Sequence, residues 1–289
     1  MPWASAQPFA SNAPVLGVPG TAVPGDILYS TKPYGQGPDT IHALDPKSVR
    51  PLRTILIGGW HADLRPDGGA IAFATMIPSG DHFDIHVMCP DGSHAQRLTD
   101  NDFPSFYPRW SPDGSRISFN GFPGEVWVVN ADGSGAKRIA TSAAMTSWSP
   151  DGTQIAYAKG EATAASPDDI WVSSPDGTNA KDLAKNAPND EFPSWSPDGT
   201  KIAFSSDAAG SGTSHIYVMN ADGSGITQLT SGPAIDDAEM WSPDGTQIVF
   251  ERQDSPNGYH DIWVMNADGS NQTNLTNTPN DDDSAPSWR

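Results

Sequence analysis

The chain alternates between short apolar runs and clusters of turn-forming residues. One unit can be followed around Trp195. An apolar-ended segment leads into Trp195, Pro197-Asp198-Gly199 turns the chain, and Lys201-Ile202-Ala203-Phe204 follows with strand-type side chains. A Gly- and Ser-rich loop, Asp207 to Ser214, leads to a second run, Ile216-Tyr217-Val218-Met219. Asn220-Ala221-Asp222-Gly223-Ser224 then turns the chain back into Ile226-Thr227-Gln228-Leu229. Asp-Gly between apolar runs is a hairpin signal, because glycine supplies the positive φ of tight turns. The pattern predicts four short antiparallel strands per unit.

The unit repeats. Trp195-Ser196-Pro197-Asp198-Gly199 has copies at Trp110-Ser111-Pro112-Asp113-Gly114, Trp148-Ser149-Pro150-Asp151-Gly152 and Trp241-Ser242-Pro243-Asp244-Gly245. A worn copy reads Leu64-Arg65-Pro66-Asp67-Gly68, and the sequence ends at Trp288-Arg289. The steps between these positions are 46, 38, 47, 46 and 47 residues. Four-stranded units of about 40–45 residues are the signature of propeller blades around a central channel. A repeated indole carries a large apolar area, so each Trp is expected to pack between neighbouring blades.

With Asn130-Ala131-Asp132-Gly133-Ser134, Asn220-Ala221-Asp222-Gly223-Ser224 and Asn266-Ala267-Asp268-Gly269-Ser270, the Trp-Ser-Pro-Asp-Gly copies resemble the repeats of TolB-like propellers across residues 25–289. That resemblance implies the fold. For function it implies a group that includes partner-binding proteins, propeller domains of peptidases, and lyases. TolB itself carries a second, N-terminal domain, for which residues 1–24 are too short.

Strand order predicts how the ring closes. Asp26-Ile27-Leu28-Tyr29-Ser30 matches the second strand of a unit, Ile41-His42-Ala43-Leu44 the third and Arg53-Thr54-Ile55-Leu56-Ile57 the last. The missing innermost strand is Ala285-Pro286-Ser287-Trp288. The expectation is an all-β, six-bladed propeller over residues 25–289, its first blade closed by the C-terminal strand, which leaves no free sheet edge between the chain ends. Residues 1–24, rich in Ala and Pro and without a charged side chain, read as a flexible lead-in.

Sixteen basic against 35 acidic residues give a formal charge of −19. This excludes nucleic acid as a partner, since such binding neutralises phosphates. A cationic protein, a cationic ligand or a divalent metal suits the field. The one cysteine, Cys89, permits no intrachain disulfide and reads as a small buried residue. No apolar run approaches the ~20 residues of a membrane-spanning helix, and no signal-peptide core is present. The resemblance implies export to the bacterial periplasm or beyond, and the closed ring is expected to be monomeric.

The Pro-Asp-Gly and Asn-Ala-Asp-Gly-Ser turns share one face of the ring and are nearly identical, so that face reads as structural. The opposite face carries the loops that differ between units, where binding is expected. Its inter-blade connections are acidic: Asp100-Asn101-Asp102, Asp190-Glu191, Asp236-Asp237 with Glu239, and Asp281-Asp282-Asp283. Asp190, Asp236 and Asp283 each lie five residues before a Trp, where other copies have Gly59, Ser105 and Ala143. Carboxylates brought together repel unless a cation or proton joins them. An oxygen-rich ring of this kind would suit calcium or manganese. His61, Tyr107 and Arg109 are expected as a polar or basic lip opposite this sector, with Glu191 and Asp237 on the ligand or partner face. His82, His215 and His260 start strands that could face the same mouth. His82 and His86 are ~13 Å apart along a strand, too far to share one metal. Asp84, Asp169 and Asp261 occupy one repeated offset, with Glu125 beside Val126, and read as scaffold residues.

The sequence has no Gly-x-Ser-x-Gly elbow, no His-Glu-x-x-His and no phosphate-binding glycine loop. Catalytic residues are not assigned. Two functions follow: a secreted or periplasmic scaffold that engages a protein partner or cationic ligand, or a divalent-metal-dependent lyase or hydrolase acting on a small or sugar-like substrate at the channel mouth.

Overall fold

The hairpin pattern folds as the sequence predicts. In the computed structural model, which describes residues 21–33, 39–47, 51–78, 80–160, 168–184, 189–208, 213–255 and 258–289, the strands form six four-stranded antiparallel sheets. Five sheets run in chain order. The remaining one, blade one, orders Asp281–Trp288 beside Ile27–Pro33, then Thr40–Leu44 and Pro51–Ile57. Ile27 pairs with Trp288 and Thr31 with Asp283, so the last strand of the chain is the innermost strand of the first blade. The Trp288 indole N–H donates to the Gly25 carbonyl at 3.0 Å, and Arg289 binds the Asp63 carboxylate of blade two at 3.1 and 3.2 Å. Of the expected lead-in, residues 1–20 lie outside the described residues. Ala22 is buried in the blade-one core, and its amide donates to Pro90 at 2.9 Å.

The other inner strands are Gly59–Leu64, Ser105–Trp110, Ala143–Trp148, Asp190–Trp195 and Ile235–Trp241. Each touches the next around the ring, so blade three stands opposite blade six and blade two opposite blade five. Trp110, Trp148, Trp195, Trp241 and Trp288 are all buried. Trp110 packs on Ala72, Ala74 and Ile85 of blade two, and Trp241 on Ala203, Ile216 and Val218 of blade five. The indoles are therefore the seams between blades. Removing one would leave a cavity costing about 3–5 kcal/mol.

The Asp-Gly turns are built alike. The Ser242 hydroxyl donates to Asp244 at 2.7 Å, and the Thr246 amide to the same carboxylate at 3.0 Å. Gly223 has φ +91°, and a Cβ there would lie 2.4 Å from the Leu183 carbonyl oxygen of the blade before. Glycine is thus required both by the turn and by the close inter-blade approach.

One regular feature is invisible in the strand pattern. Every blade has a register shift between its inner and second strands. At each shift the residue three before the Trp position has positive φ: His61, Tyr107, Met145, Phe192, Ala238 and Ala285, all between 51° and 54°. None is glycine. A non-glycine residue in this region costs about 1–2 kcal/mol, and bulges re-aim side chains. The freed amides are met by the blade before: the His61 N–H donates to Ser30 Oγ at 3.1 Å, that of Met145 to Asn120 Oδ1 at 3.1 Å, and that of Ala285 to Glu251 Oε1.

Candidate functional site

The bulged residues put side chains into the channel. A cavity with ≈ 390 Å³ of empty space, part of it open to solvent, lies between Tyr107 and Arg109 of blade three and Ala238 and Glu239 of blade six, with Phe192 and Met145 on its flanks. His61, at the same offset in blade two, stacks on Tyr107 with ring centroids 3.6 Å apart, and on Trp60 at 4.2 Å. Phe83 and Phe106 extend this aromatic group outward, 5.2 Å apart. Phe192 approaches Tyr107 edge-on from across the ring. One side of the channel and its mouth is therefore aromatic.

The strand directions place the loops after second strands and the inter-blade connections at the same end. Exposed Ile57, Met76 and Phe122 lie in those segments over blades one to three. Glu191, Asp237 and Asp282 start the inner strands of blades five, six and one. The mouth thus has two sectors, one with exposed apolar residues over blades one to three, where Asp100 and Asp102 also lie, and one acidic over blades five, six and one.

His61, Tyr107 and Arg109, expected as a polar or basic lip, stand in the channel wall. Burial, with Arg109 beside it, holds the His61 imidazole well below its usual range, so it is neutral. Burial also pushes the Tyr107 phenol up. Burial lowers the Arg109 guanidinium, while Asp63 counters that effect. Among the described residues Arg109 Nη1 and His61 Nδ1 have no hydrogen-bond partner.

The three aspartates five before Trp are brought to the same height but serve separate partners. Arg252 holds Asp236 through two bonds of 2.6 and 3.0 Å, with His215 Nδ1 3.8 Å away. Thr31 and Thr278 donate to Asp283 at 2.6 and 2.7 Å. Asp190 is fully buried, and burial raises its carboxyl to about 7, offset in part by Ser206. Among the described residues no group of three or more His, Cys, Asp or Glu is placed to hold a metal ion. The donor set for calcium or manganese suggested by the repeat offset is not assembled, because arginine and threonines of the same blades occupy two of the three carboxylates.

The three histidines also differ in placement. His82 Nε2 lies 3.7 Å from Asp84, beside the blade-two strand start. His215 is buried against Asp236. His260 Nδ1 lies 2.7 Å from Asp282, and that bond raises its pKa. It is half-buried at the acidic side of the mouth. The repeated acids act as scaffold clamps: Asp84 accepts from Thr99 at 2.7 Å, and Thr99 in turn accepts the Ile85 amide at 3.0 Å. Asp261 accepts from Thr276 and from the Thr278 amide. Glu125 instead accepts from Trp127 at 3.0 Å and pairs with Arg138.

Of two further acids of the mouth, Glu239 is visible in the sequence beside Asp236-Asp237, whereas Glu251 escapes notice. Glu239 stands two before Trp, where the other blades carry Ala62, Pro108, Thr146, Pro193 and Pro286. Glu251 stands three after the strand-two Ile, where Ser30, Ala74, Asn120, Ala158 and Ser205 are found. A lone charge at an otherwise uncharged offset is the signal that finds both. Burial raises Glu251 to about 7 and Glu239 well above the carboxylate range.

The TolB β-propeller domain family matches the chain over residues 70–213 and 125–289. An uncharacterized protein of Agrobacterium fabrum is 32% identical over 110 residues, 36% of each chain, so this chain matches about a third of that relative's length. TolB from Acinetobacter baumannii superposes with TM-score 0.77 at 19% identity, covering 91% of this chain and 66% of that one. A putative TolB from Agrobacterium tumefaciens gives TM-score 0.68 at 16% identity, covering 89% and 96%. At these identities the two structures establish likeness of fold.

Proposed function

The chain belongs to the TolB β-propeller family, and from that premise we propose that it is an exported binding scaffold whose channel mouth engages a protein partner or cationic ligand. The observation that carries this reading is the bipartite mouth. Exposed Ile57, Met76 and Phe122 offer apolar anchors beside the Glu191, Asp237 and Asp282 sector. Apolar contact supplies affinity, and charge supplies orientation and fast encounter. A net charge of −19 favours a basic partner. Export to the periplasm or beyond accords with the family. A metal-dependent lyase or hydrolase has less support, because two of the three carboxylates it would use, Asp236 and Asp283, are bound by neighbouring side chains.

The test is crosslinking in the native host, with identification of the captured protein by mass spectrometry. A Glu191→Lys/Asp237→Lys variant is expected to lose that protein, and an Asp222→Lys/Asp268→Lys variant on the opposite face to keep it. Equal capture by both variants would reject the mouth as the binding face.

A further inference from the structure

Glu239 is 3% exposed, and neither carboxylate oxygen has a hydrogen-bond partner among the described residues. Its own backbone amide is the donor that favours its charged form, while the neighbouring charges Asp236, Asp237 and Glu251 are all acidic. Asp236 is neutralised by Arg252, and Glu251 is engaged by the Ala285 amide. Glu239 therefore lines an open cavity as an acid with no hydrogen-bonded counter-ion among the described residues, and Arg109 is the cation that shares the cavity with it. A buried carboxylate without a partner is costly and calls for an explanation.

The rest of the cavity narrows what the partner can be. Tyr107 and Phe192 present aromatic rings, and Met145 adds an apolar, polarizable surface. All three reach the cavity through the strained bulge conformation, with φ of 51° at Tyr107, 52° at Phe192 and 54° at Met145. Strain of this kind clusters where ligands are gripped. Aromatic faces beside a carboxylate suit an organic cation, through ring quadrupole and ion pair together. Arg109 enters from the opposite wall, where Asp63 and Glu251 favour its charged form while its Nη1 has no hydrogen-bond partner among the described residues. A hydrated metal would lack further oxygen ligands here, whereas an alkyl stem can lie along Met145 and Phe192.

We infer that this cavity is a binding site for an alkylammonium group, with Glu239 as counter-ion and Tyr107 and Phe192 as its aromatic wall. The inference deepens the binding-scaffold reading and rests on it, since the ammonium enters through the same mouth. Two sources share this chemistry: a free amine, and a lysine side chain projected by a partner. The raised Glu239 acid adds a signature. Binding of the cation favours the ionised carboxyl, so a proton held by the acid is released on binding.

The experiment is calorimetric titration of the full chain at pH 7 with n-butylammonium chloride, with n-butanol as the neutral isostere, and with an end-blocked Gly-Lys-Gly peptide. Repeating it in buffers of different ionisation enthalpy reads the proton. Butylammonium is expected to bind at least about tenfold more tightly than butanol and to lose about tenfold in Glu239→Gln. Phe192→Leu, which keeps the fold's apolar contact, is expected to weaken the amine by about threefold and to leave butanol unchanged. If Glu239→Gln fails to fold, Phe192→Leu and the butanol comparison decide. A peptide tighter than butylammonium assigns the site to a partner's lysine, and the reverse order assigns it to a free amine. Failure of both ammonium probes to bind, equal binding of amine and alcohol, or unchanged affinity in a folded Glu239→Gln would overturn the inference. Loss of amine binding with capture still sensitive to Glu191 and Asp237 would sink this site and leave the scaffold reading standing.

Discussion

At the scale of single residues, the molecule keeps two opposite populations of acids. The exposed turn aspartates accept bonds from serine, threonine and backbone amides, which holds Asp113 and Asp244 down to about 2. The buried acids of the channel run the other way, with Asp190 and Glu251 raised to about 7 and Glu191, Asp237 and Asp283 also raised by burial. The sign of each effect on stability follows from proton binding. A raised acid makes the folded state hold more protons than the unfolded chain between about pH 4.5 and pH 7. Stability therefore falls as pH rises through that window. A lowered acid gives stability that is lost as pH falls from about 4 toward 2. Maximum stability is expected near pH 5. Glu251→Gln keeps an acceptor for the Ala285 amide and removes one titrating group, on the order of 2 kcal/mol. Urea unfolding at pH 5 and pH 8 should show the variant gaining at pH 8 and losing part of the wild-type slope. An identical slope would contradict the account. The turn aspartates were legible in the sequence, because Asp-Gly-Ser and Asp-Gly-Thr form their bonds within a few residues. The raised acids were not, since burial is set by the next blade.

At the scale of the element, the blade is almost wholly legible and its bulge is not. Strand positions follow from apolar runs and turns, and the closing strand followed from a missing first strand in blade one. The bulge leaves no mark on composition: its residue is His, Tyr, Met, Phe or Ala, with positive φ in every blade. The hydrogen bonds that sustain it come from Ser30, Asn120 and Glu251 of the blades before. The offset from Trp still drew attention to His61 and Tyr107, and the same offset carried through would have added Phe192. Two alanine–glycine exchanges test the backbone. Ala285→Gly relieves positive φ and should be neutral or stabilising by up to about 1 kcal/mol. Gly223→Ala forces a Cβ against Leu183 and should destabilise by about 1–3 kcal/mol. Both are read from denaturant midpoints at constant slope. Destabilisation of equal size by the two changes would show that the bulge conformation is not what the structure describes.

At the scale of the whole molecule, a repeat that looks uniform produces a ring with two unlike faces. The turn face repeats the same Asp-Gly bonds from blade to blade. The mouth face differs from blade to blade, with the aromatic and exposed apolar residues over blades one to three and most of the acids over blades five, six and one, Asp100 and Asp102 lying between blades two and three. The sequence showed the acidic sector, because Asp190-Glu191, Asp236-Asp237 and Asp281-Asp282-Asp283 are runs. It did not show that Asp236 and Asp283 are occupied by Arg252, Thr31 and Thr278, which arrive from the second strand and the connecting loop. Nor did it join Trp60, Phe83 and Phe106 into one surface, since they come from three strands of two blades. The central claim is that binding belongs to this mouth. The most direct measurement is amide hydrogen exchange of the full chain, alone and with the protein identified by crosslinking. Added protection is expected in the segments around Ile57–His61, Asp190–Phe192, Asp236–Glu239 and Asp281–Asp283. Protection confined to the Asp132, Asp222 and Asp268 turns would contradict that claim.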